Sequence, residues 1–299
     1  MTLSSRADGT SAGSIRYPAN SLELNPYILT GCPVETALEY CEGRLSHSIE
    51  DYPEGILIPV DKPLRWTSAD LVRKIKFQLQ KHFHTHKLKV GHAGTLDPMA
   101  TGLLIVCVGR ATKIAEALQA HEKEYLARIA FGATTASYDL EQPVDQFFPF
   151  EHITREGVEA ALKGFIGEQE QVPPVFSAKM VGGLRAYEYA RAGEAVELRT
   201  ARITISSLEL LDYRACGMAE GAQIETVEVS EAVRNVKNFH TAARCEVPGP
   251  EVLLRIRCSK GTYIRSLARD LGLAMNSGAY LTALRRVASG DFRLADEKL

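Results

Sequence analysis

The stretch Gly91-His92-Ala93-Gly94-Thr95-Leu96-Asp97-Pro98-Met99-Ala100-Thr101-Gly102 places a single carboxylate among three glycines and a proline. Glycines permit tight turns and close approach of a ligand. Pro98 restricts Asp97 to extended backbone, which fixes where its carboxylate points. An apolar run follows directly, so the loop would sit on a buried strand, a rigid platform for a reacting group. A carboxylate so held can act as a nucleophile or support a developing positive charge. Residue types alone leave a second reading open, in which Asp97 only organises a turn.

Two further segments carry charge that a fold does not need. In Cys258-Ser259-Lys260-Gly261-Thr262-Tyr263-Ile264-Arg265 a strand ends, Gly261 turns the chain and a helix begins. Its amide terminus, with Lys260 and Arg265, suits an anion such as a phosphate or the Asp97 carboxylate. The other reading is a surface helix with solvated Arg265 and Arg269. Between residues 73 and 89 the chain has Arg73, Lys74, Lys76, Lys81, Lys87 and Lys89 and no acid, a surface fit to track phosphates. His82, His84 and His86 would share one side of an extended segment. With no cysteine or carboxylate beside them, no metal site is expected. Tyr125, in Lys123-Glu124-Tyr125, suits either a core or a stacking platform for a base. Pro173-Pro174-Val175-Phe176-Ser177-Ala178-Lys179 is a rigid lead to one lysine.

These segments need elements to hold them. Ile56-Leu57-Ile58-Pro59-Val60 reads as a short strand from which the folded body starts, at Gly55. Thr67 or Ser68 caps a helix whose Leu71, Ile75 and Leu79 form one apolar stripe. Leu103 to Val108 has the continuous apolar pattern of a strand buried on both faces. Helices are expected from Thr112 to Gln119, from Thr154 to Phe165, from Leu184 to Arg191 and from Thr262 to Ala274. Strands are expected from Lys123 to Phe131, from Ala201 to Leu211, at Val252 to Cys258 and, short, from Leu281 to Val287. Residues 212–250 interrupt this rhythm and read as an inserted hairpin or loop. The mixture lacks strict βαβ alternation and favours an α+β fold around a mixed central β-sheet flanked by helices.

Composition sets the outer limits. The chain has 299 residues, 45% hydrophobic and 24% charged, the proportions of a globular protein with ample core. No apolar run reaches membrane-spanning length and no secretory pattern opens the chain, so a cytoplasmic protein is expected. The six cysteines form no C-x-x-C pair. They are expected to be reduced and mostly buried, with neither a zinc site nor a disulfide framework. Net charge is −2, but residues 1–54 hold three arginines and eight acids, leaving 32 basic and 29 acidic residues beyond them. An acidic, partly flexible extension over 1–54 thus precedes a mildly basic body over 55–299, which permits an RNA partner.

Taken together the segments resemble the TruB family of tRNA pseudouridine synthases. The pieces are Gly55-Ile56-Leu57 with Asp61-Lys62-Pro63 and Thr67-Ser68, then the Gly91–Gly102 string and Lys123-Glu124-Tyr125. Next come Pro173 to Lys179, Cys258 to Arg265, and Leu284-Arg285-Arg286. They stand in the family's order. The resemblance implies the pseudouridine synthase fold, with an active-site cleft across the sheet. It implies conversion of uridine 55 in the T-loop of tRNA to pseudouridine, without cofactor or metal. It puts the nucleophile on Asp97 and its basic partner on Arg265. Substrate contacts fall on His92, Tyr125, Tyr263 and Leu284, with Lys179 near the site.

Those residue types suit the reaction. The N1–C1′ bond breaks, the uracil turns, and C5 joins C1′. The carboxylate must be ionised, which a nearby guanidinium favours. The base must leave its stack, which calls for an aromatic platform and an apolar wall. Tyr125 and Leu284 supply these, and whether Tyr125 also takes the C5 proton stays open. Arg73, Lys74 and Lys76 are the expected contacts to the RNA backbone. The chain ends thirteen residues after Arg286, so the expected type is the bacterial one without a C-terminal PUA-type domain, acting as a monomer. A non-catalytic RNA-binding or folding factor, or a synthase for another RNA stem-loop, are the alternatives.

Overall fold

The structure is a computed structural model that describes residues 24–177, 179–192, 198–215 and 249–299. It divides into two compact units, one of Met1–Asp61, Ser68–Thr95 and Leu104–Gln119, the other of Lys62–Thr67, Leu96–Leu103 and Ala120–Leu299. Among the described residues no helix is long and apolar enough to cross a membrane. No group of three His, Cys, Asp or Glu among them is placed to hold a metal ion.

The first unit opens with β1 (Tyr27–Ile28), α1 (Ala37–Glu42) and β2 (Ile56–Lys62). β1 lies parallel to β2, with Tyr27 opposite Ile56. The acidic segment is therefore no mere leader. From Leu24 onward it is folded, burying Leu29, Val34, Ala37 and Cys41, and the boundary expected at Gly55 falls inside this unit. Helix α2 (Ser68–His82) buries Leu71, Ile75 and Leu79 as its stripe requires, and packs on α1. Its exit is not extended. His82 ends the helix, buried, with its ring 2.9 Å from the Ser46 carbonyl, and His84 takes a left-handed φ of 49°. The alternation that would align three histidines is thus absent. β3 (Val90–His92) pairs antiparallel with β4 (Ala100–Val108), His92 opposite Val106. The segment expected to be helical from Thr112 starts as a 3-10 turn at Gly109 and becomes α3 only over Ala115–Ala120.

Strand β4 contributes to both units. Leu103 to Val108 are each at most 1% exposed, as the unbroken apolar run requires. Its first residues pair in the second unit, parallel to a long strand near the C-terminus. The remaining strands of that unit are β5 (Lys123–Phe131), β6 (Ala133–Thr135), β7 (Val144–Phe147), β8 (Gly167–Gln171), β9 (Met180–Val181), β10 (Leu184–Arg185), β11 (Ala201–Arg214), β12 (Glu251–Cys258), β13 (Ala279–Ser289) and β14 (Phe292–Arg293). Its helices are α4 (Arg155–Leu162), α5 (Ala186–Ala192) and α6 (Ile264–Ala274). The sheet runs β4-β13-β5-β12-β11-β8. β13 is parallel to β4, with Leu284 opposite Ala100, and antiparallel to β5, with Arg286 opposite Tyr125. The sheet is mixed, as expected. β6 with β7, and β9 with β10, form separate hairpins. α6 packs on β13 and β5, and α4 on β11 and α6. Leu267, Ala268 and Leu271 close the core over Ile129, Leu254 and Ile256.

Three expectations shift in detail. The last long strand covers eleven residues, not the seven from Leu281. The short helix begins at Ala186, because Leu184 and Arg185 pair with β9. The segment expected to be an insertion links neighbouring antiparallel strands that pair up to Arg214 and Glu251; its residues 216–248 lie outside the described ones. Among the described cysteines, Cys32, Cys41, Cys107 and Cys258 are free and buried.

Two places in the second unit are tightly constrained. Gly102 has a φ of 103°, and a side chain there would come within 2.3 Å of the Arg286 carbonyl. L-residues avoid that conformation and the space is backbone, which cannot give way. Gly102→Ala is expected to cost at least about 2 kcal/mol, read as a fall in the thermal midpoint or in soluble yield. The second place is Glu124, which points to the other side of the sheet from Tyr125. Its carboxylate is 5% exposed and meets Arg257 at 3.0 Å, Arg293 at 2.8 Å and Arg255. Burial would raise its pKa, but the bonds from Arg293 and Arg255 and the charge of Arg257 overcome that and hold it at about 2.

Candidate active site

The loop before β4 carries Asp97 to the edge of the second unit's sheet. The Asp97 carbonyl accepts from the Ala100 amide at 3.1 Å, and the Pro98 carbonyl accepts from the Arg65 amide at 2.7 Å. Arg65 holds a left-handed φ of 66° to do so, a strained conformation for a residue with a side chain. The turn reading of Asp97 is therefore correct for its backbone. Its side chain does something else.

Arg265 reaches Asp97 from α6. Its Nη2 lies 3.0 Å from Asp97 Oδ2, with the guanidinium 4% exposed and the carboxylate 37% exposed. A buried cation thus holds a carboxylate at a solvent-facing position. The surface-helix reading of Arg265 is overturned, because the residue points inward among Ser266, Leu267 and Ala268, which are also buried. Nor is the helix terminus open. The Gln171 side chain accepts from the Tyr263 amide at 2.8 Å and donates to the Tyr263 carbonyl at 3.1 Å. Arg269 bonds Asp270 and the Val172 carbonyl.

Arg265 is itself held from behind. Its Nη1 donates to the Ser137 carbonyl at 3.2 Å, and its Nε lies 3.7 Å from Asp139 Oδ2. Asp139 is fixed in turn by the Ser137 hydroxyl at 2.6 Å and the Glu141 amide at 3.0 Å. Burial works against the Arg265 charge, but Asp97 and then Asp139 outweigh it and push its pKa above the usual arginine value. Asp139 shifts upward, because burial exceeds the opposing pull of Arg265, Ser137 and the Glu141 amide. Residue types did not single out Asp139. Its one local signal is a Thr134-Thr135-Ala136-Ser137 run after β5, which any polar turn shares.

An open cleft of about 260 Å³ lies over this pair, lined by Asp97, Arg265 and Asp139 with Met99, Ala100, Leu140 and the Leu281–Leu284 stretch. Leu284 forms apolar wall here because the parallel pairing sets it beside Ala100.

The other expected residues fall at different distances from this centre. Tyr263, half-buried just before α6, feels the Asp97 charge: burial, then Asp97, raise its phenol, with Ser177 and Arg265 offsetting part. Tyr125 is only 9% exposed and belongs to the core that includes Leu96 and Ala100. Burial raises its phenol too, while the charge and a hydrogen bond of Arg286 oppose. Arg286, buried, also donates from Nε to the Leu103 carbonyl at 2.7 Å, a contact residue types gave no reason to expect. Lys179 does not line the cleft, and its ammonium donates to the Arg199 carbonyl. His92 belongs to the first unit, half-buried on β3. Arg73, Lys74 and Lys76 lie there too, on α2, where Arg73 pairs with Asp70 at 2.8 Å.

Known proteins share both the sequence and the fold. The description "TruB family pseudouridylate synthase (N terminal domain)" matches residues 80–222. A tRNA pseudouridine synthase B of Phocaeicola vulgatus is 48% identical over 246 residues, covering 82% of this chain and 90% of the relative. That of Bacteroides thetaiotaomicron is 46% identical over 246 residues, with the same coverage. A chain in the crystal structure of a Cbf5-Nop10-Gar1 complex superposes with a TM-score of 0.52 at 26% identity, over 95% of this chain. This chain spans 59% of that one. With nearly half the residues shared along most of both sequences, the chain belongs to the TruB family of pseudouridylate synthases.

Proposed function

We propose that the chain converts uridine 55 in the T-loop of tRNA to pseudouridine, with Asp97 as the nucleophile. The observation that supports this reading is the buried Arg265 holding an exposed carboxylate over an apolar cleft. The relatives named above are tRNA enzymes, which favours tRNA among RNAs. The reaction balances without a cofactor. The N1–C1′ bond breaks, the base turns, C5 bonds to C1′, and the C5 proton is lost as N1 gains one. Asp97 attacks the sugar or the base, or steadies the positive charge as the glycosidic bond weakens. Arg265 keeps that carboxylate aimed. Leu284 and Tyr125 receive the flipped uracil, Tyr263 borders it, and His92, which takes the place the base leaves in its stack, and Lys179 are further substrate contacts. Arg73, Lys74 and Lys76 meet phosphates. In this reading the protein is a cytoplasmic monomer that needs no metal.

The test is to incubate the purified chain with unmodified RNA and map pseudouridines. Product at position 55 of tRNA supports the proposal. Product only in another stem-loop replaces the substrate, and none in any RNA leaves a non-catalytic binder.

Asp139 gives a prediction that follows from the geometry. Asp139→Asn keeps the Ser137 and Glu141 bonds within reach but removes the second charge facing Arg265. The turnover number is expected to fall about 10- to 100-fold, with tRNA affinity little changed. Single-turnover kinetics beside a binding titration reads both quantities. Equal losses in each would make Asp139 a part of the RNA contact instead.

A further inference from the structure

We propose that α2 carries a stacking site for an unpaired RNA base, with Phe77 as its platform. The proposal rests on the reading that the substrate is RNA. Phe77 is 56% exposed, while α2 buries Leu71, Ile75, Leu79 and His82 on its other side. Helical spacing sets Lys76, Arg73, Phe77, Lys81 and Lys74 across the outer face, with Phe77 in the middle. The Lys81 ammonium sits over the ring, 4.5 Å from its centre. Asp70 is the one acid of this helix, and Arg73 engages it. Lys87 and Lys89, both exposed, extend the positive surface beyond the helix.

The charge pattern selects the occupant. A large aromatic left in water amid cations is costly to cover with an apolar partner, because the ammonium groups would be buried without compensation. A membrane surface wants a broad apolar face, and this face offers one ring. A polyanion with planar bases satisfies both features at once. Its phosphates meet Lys74, Lys76 and Lys81, and a base lies on the ring face that Lys81 leaves open. Stacking is tolerant of sequence, so the site would grip any unpaired base that the RNA offers there.

The two contributions separate by their response to salt. Phosphate contacts release counterions and set the slope of binding against salt; a stacked base releases none. The experiment uses the full chain and an unmodified tRNA transcript, titrated over a series of KCl concentrations. F77A is expected to weaken binding about 5- to 50-fold with the salt slope unchanged. F77W should bind as wild type does, and F77L should fall with F77A, since it keeps apolar area but has no π-face. Lys74→Glu with Lys76→Glu should flatten the slope. Wild-type binding for F77A overturns the proposal, as does full rescue by F77L. Thermal melting of each variant excludes misfolding as the cause of a loss. If wild type binds and modifies tRNA while F77A binds equally well, only the stacking site falls. If wild type does neither, the RNA reading falls with it.

Discussion

Asp97→Asn is expected to lower pseudouridine formation by at least about 10⁴-fold, with tRNA still bound within several-fold. Asn has the same shape and can still accept from Arg265, so the loop before β4 keeps its path. What it lacks is the negative charge and the nucleophilic oxygen of a carboxylate. An amide attacks carbon poorly and opposes positive charge poorly. The group points into the cleft beside Leu284, where sugar and base would lie, so few phosphate contacts depend on it. One side effect needs a control. Arg265, 4% exposed, loses one of its two charged partners, and breaking a buried pair can cost about 3–5 kcal/mol. A thermal melt therefore accompanies the assay. A folded variant that still makes product near the wild-type rate would remove Asp97 from the chemistry. Asp97→Glu refines the result, since it keeps the charge and displaces it by one methylene.

Glu124→Gln tests the other half of the sheet. The wild-type carboxylate sits at about 2 instead of the ordinary 4.5. A lowered carboxylate adds stability that is fully present above 4.5 and is lost as pH falls through about 2. The displacement corresponds to about 3 kcal/mol at neutral pH. The variant should lose that amount at pH 7, because Arg255, Arg257 and Arg293 then face each other across a neutral amide. It should also lack the share of the wild type's decline between about pH 4.5 and 2 that Glu124 contributes. Urea denaturation at pH 7 and near pH 3 measures both. A variant as stable as wild type at pH 7 would show that the three arginines simply turn outward to water.

Legibility followed the range of the interactions. Asp97 could be singled out because proline and glycine act within a few residues, and the β4 core because a buried strand writes itself as a continuous apolar run. Arg265 could not be separated from a surface residue by type, since a partner that holds it inward, the Ser137 carbonyl, lies 128 positions away. Residue types offered the Asp97 carboxylate only as one of two anions for it, and the family resemblance chose between them. Asp139 was invisible for the same reason. β1 is two residues long, too short for any period, and its place is decided by β2. β13 was read four residues short because Ala279, Tyr280, Ala288 and Ser289 leave the alternating pattern where the strand is covered on both faces. Tyr125 was legible as an aromatic of either kind, and the distant core residues Leu96 and Ile256 that share its cluster decide its burial.

The parallel pairing of Leu284 with Ala100 also orders events on the ribosome. The carboxylate loop is synthesised 187 residues before the wall that completes its cleft, and the guanidinium comes only nineteen residues before that wall. Contacts so distant along the chain close late. A nascent chain therefore carries Asp97 through most of its synthesis without a partner or a pocket. Catalytic competence should arrive in one step, when β13 slots between β4 and β5, and not grow gradually with chain length.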